Sequence, residues 1–258
     1  MILNIAITAG GTSEPIDGVR KMTNVSTGRL GWQCLEAVLD KHSLGTDAFK
    51  VYYIHTDTAF RGELTSEQLS HVQFVPVTDA ASVYEAVDHL TRGVSLTHFV
   101  HAMAISDFTF SYAVSPRSLA QELHQLIVDN PTVSVGQLQQ LLEYPESSLA
   151  QGAKISSKEP LLIGMKTTHK VISLIKKNNP DTLLVGFKLL RNVGEAELMQ
   201  EAARLTTQNG CDMVFANELS TIGGSGHTGL LIRDGEVIAR PEGKDKIASM
   251  IIDKMLSI

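Results

Sequence analysis

Strand-like and helix-like blocks alternate along most of this chain, and that alternation restricts its architecture more than any other feature. Residues 3–8 form a largely apolar run that stops at Gly10-Gly11, the pattern of a buried parallel strand entering a loop. The loop runs to about Gly28. Leu30, Trp32, Cys34, Leu35, Val38 and Leu39 then recur at helical spacing as far as Lys41. The pattern continues with β-rich runs at 50–55 and 72–76 and a helix over 80–90 behind a cap at Thr78 or Asp79. A strand at 97–103 follows, and blocks at 161–165, 170–176, 183–187, 195–208 and 213–217 extend the alternation. Such a chain predicts an α/β fold: a Rossmann-like, doubly wound, mostly parallel sheet covered by helices.

Two stretches depart from the pattern. Asp234-Gly235 separates two β-rich runs over 229–239, which predicts a C-terminal β-hairpin with a type I′ turn before a closing amphipathic helix at 244–257. Between about 113 and 152 the alternation gives way to two helical pieces, 116–128 and 135–144. This is a helical insertion, read either as a surface hairpin or as a lid or dimer contact. The 258 residues fit a single domain, 1–258, carrying that insertion.

Composition narrows the partners. With 22 Lys+Arg against 28 Asp+Glu the net charge is −6, and the basic residues are scattered, which argues against nucleic acid. No run of about 18 apolar residues and no secretion signal is visible, so a cytoplasmic protein that does not span a membrane is expected. Cys34 and Cys211 are too few for a zinc site and read as buried, reduced thiols. His98 and His101 fall on opposite faces of their strand and cannot share a metal.

The candidate chemistry gathers in the first loop. Gly10 and Gly11 follow the first strand, where a doubly wound sheet opens its ligand crevice, and paired glycines let backbone N–H groups approach an anion; they also serve as turn formers. The stretch is not a dinucleotide fingerprint, because Glu14, Pro15 and Asp17 stand where its last glycine belongs. Ser26, Thr27, Gly28 and Arg29 sit at the mouth of the first helix, where hydroxyls cap the helix or bind phosphate with the same donors. Asn24 has no capping role at that distance, and its amide can donate and accept in a crevice. Gly223 to Gly229 could form an anion nest, or a flap before the hairpin.

Residues Ile7 to Arg20 and Thr23 to Gly31 together closely resemble the opening signature of the phosphopantothenate-cysteine ligases. The resemblance continues in order at 102–108, Lys154-Ile155, 185–188 and Ala216-Asn217. It implies a ligase of coenzyme A biosynthesis that activates the carboxylate of 4′-phosphopantothenate with CTP or ATP, releases pyrophosphate, and transfers the acyl group to L-cysteine. The catalytic residues it implies are Asn24, at the acyl-nucleotide, and Lys154, at the phosphates. The nucleotide is assigned to Gly10, Gly11, Ser26, Thr27, Gly28, Ala102, Asp107 and Phe187, and substrate to Asn24, Arg29 and Asn217. Magnesium held by the phosphates, with no dedicated protein ligands, and a homodimer are also implied. Left to themselves, Asp107 reads as a turn cap at a strand's carboxyl end, Lys154 as a solvated charge and Phe187 as core.

Two features set this chain apart within the family. Many bacterial members carry two lysines on the helix before the Ala-Asn strand, where residues 203–209 here offer only Arg204 for phosphate. No flavin-dependent decarboxylase domain precedes the signature, so a monofunctional, bacterial-type form is expected. Ser106-Asp107-Phe108 resembles the ATP-using branch, whereas the opening signature favours CTP, and CTP is the preferred expectation. An NAD(P)-dependent oxidoreductase, with Asp57 holding a ribose, is the alternative.

Overall fold

The computed structural model describes residues 2–42, 48–149, 159–221 and 227–257. Its first half contains β1 (Leu3–Ala9), β2 (Ser13–Pro15), β3 (Lys21–Thr23), α1 (Arg29–His42), β4 (Phe49–Thr56), α2 (Ser66–His71), β5 (Val72–Val77), α3 (Ala80–Gly93) and β6 (His98–His101). There follow β7 (Phe108–Val114), α4 (Pro116–Asp129), α5 (Val135–Glu143), β8 (Leu162–Thr167), α6 (Ile172–Asn178), β9 (Leu183–Leu190) and α7 (Glu195–Asn209). The last elements are β10 (Met213–Glu218), β11 (Leu230–Arg233), β12 (Glu236–Ala239) and α8 (Lys244–Leu256).

The described chain packs as two units. The first takes residues 1–12, 24–105 and 169–258. Its eight strands lie in the order β12-β11-β10-β9-β6-β1-β4-β5, with β10 through β5 mutually parallel and β11 and β12 antiparallel. This is the predicted doubly wound sheet. Its central strands are apolar on both sides because helices cover both faces, α1 and α8 on one and α3, α6 and α7 on the other. Both cysteines are buried and unbridged. The ion pair of Lys41 with Asp253 joins the carboxyl ends of α1 and α8, so the two helices run parallel and present their amino ends at the same edge of the sheet.

Local chemistry accounts for several boundaries. Asp79, not Thr78, caps α3: its carboxylate accepts the Ser82 N–H at 2.8 Å while the Ser82 hydroxyl accepts the Asp79 N–H at 3.0 Å. Asp234 and Gly235 adopt φ of 51° and 79°, the left-handed pair that a type I′ hairpin turn requires.

The second unit comprises residues 13–23 and 106–168. Here the structure departs from the sequence reading. The run at 161–165 does not join the main sheet; it becomes β8, which pairs antiparallel with β7 in a two-stranded sheet of its own. The loop before Gly28 contains a hairpin of β2 and β3, turned by Asp17. That carboxylate accepts the Val19 and Arg20 N–H groups at 2.9 and 2.7 Å and grips the Arg20 guanidinium at 2.8 Å. These bonds hold the Asp17 carboxyl below its usual range. The helical insertion forms α4 and α5 close to the expected limits, but the unit it belongs to begins at Ser106 rather than 113.

Candidate functional site

The chain winds outward from β1 in both directions, through β4 and β5 on one side and through β6, β9 and β10 on the other. The switch point of the sheet therefore lies between β1 and β6, where open α/β sheets bind ligands at the carboxyl ends of their strands. Past that point the chain segments stay tied together. The Ala104 N–H donates to the Gly10 carbonyl at 2.9 Å, the Thr12 N–H to the Ala104 carbonyl at 3.1 Å, and the Asn24 N–H to the Thr12 carbonyl at 3.0 Å. These bonds draw β6 off its path, so it ends at His101 and not at 103 as the apolar run suggests.

Glycine is obligatory in two places in this cradle. Gly10 has φ of +100°, and a Cβ there would lie 2.1 Å from Thr56 Oγ1. Gly28 has φ of +68°, with its would-be Cβ 2.8 Å from Ala59 Cβ and 3.1 Å from the Gly10 nitrogen. The two loops thus interlock at backbone distance.

Gly28 also begins α1, since its carbonyl accepts the Trp32 N–H at 3.1 Å. This corrects the capping role considered for Ser26 and Thr27. Their hydroxyls reach only Gly28 N and Arg29 N, each at 3.4 Å, and the cap residue has no side chain of its own. Arg29 is exposed and lays its guanidinium 4.0 Å over the Phe60 ring, whose backbone N–H is held by the Thr27 carbonyl at 2.8 Å. Asn24 is half-buried beside Gly11.

Strand register places two more of the expected residues. Val185 pairs with Val100, which pairs with Ile7, so Phe187 lies two residues beyond the last β6–β9 pair, towards the carboxyl end of the sheet. Phe187 and Ala102 are partly buried on the face covered by α1 and α8. Asn217, buried near the end of β10, lines a cleft of about 300 Å³ with Thr221, Thr228, Glu218 and the Arg240–Glu195 ion pair. The structure thus gathers Gly10, Gly11, Asn24, Ser26, Thr27, Gly28, Arg29, Ala102 and Phe187 at one edge, with Asn217 further along it.

Three expectations end differently. Asp107 does not stand at a strand's carboxyl end; it immediately precedes β7, in the second unit, where its carbonyl accepts the Thr168 N–H at 3.0 Å. Arg204 pairs with Glu201 at 2.8 Å on the outside of α7, and Lys188 shares that carboxylate at 3.0 Å. Lys154, and residues 223–226 of the glycine-rich stretch, lie outside the described residues.

Sequence reasoning took in His227 only as part of the Gly223 to Gly229 stretch and gave its side chain no role. It is buried, neither ring nitrogen has a hydrogen-bond partner, and the ring stacks near Phe215 with centroids 6.5 Å apart. Its significance comes from what surrounds it, which no local motif encodes. Among the described residues, no three His, Cys, Asp or Glu side chains converge on a metal-sized site, and no helix is long and apolar enough to cross a membrane.

Comparison with known proteins agrees with this geometry. The family model for the DNA/pantothenate metabolism flavoprotein C-terminal domain matches residues 2–127, just under half of the chain and including the whole glycine cradle. The coenzyme A biosynthesis bifunctional protein CoaBC of Thermococcus kodakarensis is 24% identical over 219 residues, 85% of this chain and 42% of that protein. The chain therefore spans less than half the length of that relative. The DNA/pantothenate metabolism flavoprotein of Streptococcus pneumoniae superposes with a TM-score of 0.78 at 28% identity, covering 99% of both chains. A Cab2 variant in complex with phosphopantothenate-cysteine shares the fold, with a TM-score of 0.67 at 15% identity over 99% of this chain and 85% of that one. The chain is thus similar to the DNA/pantothenate metabolism flavoprotein C-terminal domain family over residues 2–127 and to the Streptococcus structure over nearly its whole length.

Proposed function

We propose that this chain is a phosphopantothenate-cysteine ligase that works through an acyl-nucleotide. The observation that carries the reading is the interlocked cradle of Gly10, Gly11 and Gly28 at the switch point, with the uncapped amino end of α1 beside it. Backbone donors and a helix amino end suit a polyphosphate, and Arg29 adds positive charge at the rim. The related CoaBC proteins of coenzyme A biosynthesis and the ligand held by the Cab2 variant support the choice of substrates.

In this reading a carboxylate oxygen of 4′-phosphopantothenate attacks the α-phosphorus of the nucleotide, and the bond to the β-phosphate breaks as pyrophosphate leaves with the electron pair. The cysteine amine then attacks the acyl carbon and displaces the nucleoside monophosphate. Gly10, Gly11, Ser26, Thr27 and Gly28 hold phosphates, Ala102 and Phe187 shape the nucleotide pocket, and Asp107 is assigned to the nucleotide by the resemblance of its motif. The Asn24 amide holds the acyl group, Lys154 offsets phosphate charge, and Asn217 and Arg29 contact substrate. Magnesium would neutralise phosphate charge, and with no acidic or histidine cage among the described residues it would be held by phosphate oxygens and water. The location is cytoplasmic. A homodimer completes the reading, supported by β8 of the second unit, whose Leu162, Ile163 and Met165 are 40–45% exposed.

The test is pyrophosphate release that requires both phosphopantothenate and cysteine, run in parallel with CTP and ATP. CTP is the expected nucleotide. A kcat/KM with ATP equal to or above that with CTP removes the CTP assignment, and release without either acceptor removes the ligase.

A further inference from the structure

The amino ends of α1 and α8 face the same edge of the sheet, yet only α1 carries the family's glycine cradle. At α8 the first residue outside the helix is Gly243, with φ of +89° and no side-chain cap, and its N–H donates to the His227 carbonyl at 2.7 Å. A 13-residue helix concentrates positive potential at that end, and Lys244 opens it. The independent observation is the His227 imidazole. It is 7% exposed, both ring nitrogens lack partners among the described residues, its ring stacks near Phe215, and its own carbonyl accepts the N–H of Gly243, the residue before Lys244. Burial first, and then the field of Lys244, holds its pKa below the usual histidine value. A buried polar group with no partner is costly, and its persistence calls for a ligand that completes it.

Through Phe215 this imidazole is connected to the nucleotide crest. The Phe215 ring packs 5.8 Å from Phe187, so His227, Phe215 and Phe187 form a row running from α8 to the edge of the sheet. Phosphate charge there has no compensation from α7, because Arg204 is committed to Glu201. We infer that His227, Lys244 and the amino end of α8 form a second anion subsite, which takes the terminal phosphates of the nucleoside triphosphate and releases them as pyrophosphate. An imidazole N–H donates to a phosphate oxygen, the Lys244 ammonium pairs with the same group, and the helix N–H groups complete its shell. Glu242 and Asp245 flank the site and weaken its positive potential, so its attraction for an anion depends on the Lys244 charge. The identity of the anion rests on the ligase reading; the site itself does not.

Calorimetric titration of the full chain with sodium pyrophosphate tests the subsite directly. Lys244→Gln and His227→Phe should each weaken binding about tenfold or more, the usual consequence of losing one charge-assisted hydrogen bond. Lys254→Gln, at the far end of the same helix, should leave it unchanged. Phenylalanine preserves the stack on Phe215 and removes two unsatisfied nitrogens, so His227→Phe should melt no lower than wild type. Should that variant fail to fold, Lys244→Gln carries the test alone. Pyrophosphate affinity in folded Lys244→Gln equal to wild type overturns the inference, even if the wild type is an active ligase. Loss of affinity in a chain whose wild type forms no amide upholds the anion subsite and removes the ligase reading instead.

Discussion

The hydroxyl of Thr8 stands 3.2 Å from Nδ1 of His101 and accepts the Met103 N–H at the same distance, so one oxygen joins β1 and β6 across the switch point. Burial pushes the His101 imidazole down to about 4, and the ring is neutral at ordinary pH.

That shift makes stability depend on pH. The folded pKa lies below the unfolded value of 6.5, so the unfolded chain binds more protons between the two. Stability is complete above about pH 6.5 and falls as pH drops towards 4, by about 3 kcal/mol from this residue. His55 and His227 shift in the same direction and add to the loss. Urea unfolding at pH 7.5 and 4.5 should show the fall, and His101→Asn should flatten part of it. An unchanged pH slope in that variant would mean that His101 titrates normally in the folded chain.

Gly10→Ala should destabilise the fold by about 2 kcal/mol or more, through a strained positive φ and a methyl forced onto Thr56 Oγ1. Adding Thr56→Ala removes the collision and leaves the backbone strain, so the double variant should recover only part of the loss. Denaturant midpoints measure both steps; a single variant as stable as wild type would mean the cradle is loose.

Asn24→Asp should fold normally and form amide far more slowly, because it sets an anion beside an anionic acyl phosphate. Quenched reactions should then show the acyl-nucleotide accumulating. Turnover at the wild-type rate would remove Asn24 from the site.

Lys154→Gln should impair activation more than nucleotide binding, since charge on the phosphates is stabilised most in the transition state. Exchange of labelled pyrophosphate into the triphosphate, without cysteine, isolates that step, and a loss of about 10²–10³ is expected. Normal exchange would return Lys154 to the class of solvated surface charges.

The parts of this molecule that could be read from its sequence are those that local chemistry decides. Leu183 to Phe187 and Met213 to Asn217 read as buried parallel strands because both their faces are covered, and Asp234-Gly235 specifies its turn almost alone. The glycine cradle was legible because Gly10-Gly11 follows a strand directly and Gly28 opens a helix. What stayed hidden depends on partners distant in sequence. Nothing in the run at 161–165 says that it pairs with β7 rather than β9. The early end of β6 results from bonds between Ala104 and residues near Gly10, and β2 and β3 are three-residue strands organised by one aspartate. His227 looks ordinary until the absence of partners for its ring is seen.

The bonds that tie Ala104 to Gly10 and Thr12 also set the order in which the molecule can acquire its parts. They join residues more than ninety positions apart, and closing such a loop costs more entropy than closing a shorter one, by about 0.6 kcal/mol for each doubling of its length. The hairpin β11–β12 and the pairing of β1 with β4 demand much shorter excursions and can form first. Refolding chains should therefore gain most of their strand and helix signal before the crevice exists, and nucleotide binding should be among the last properties to return.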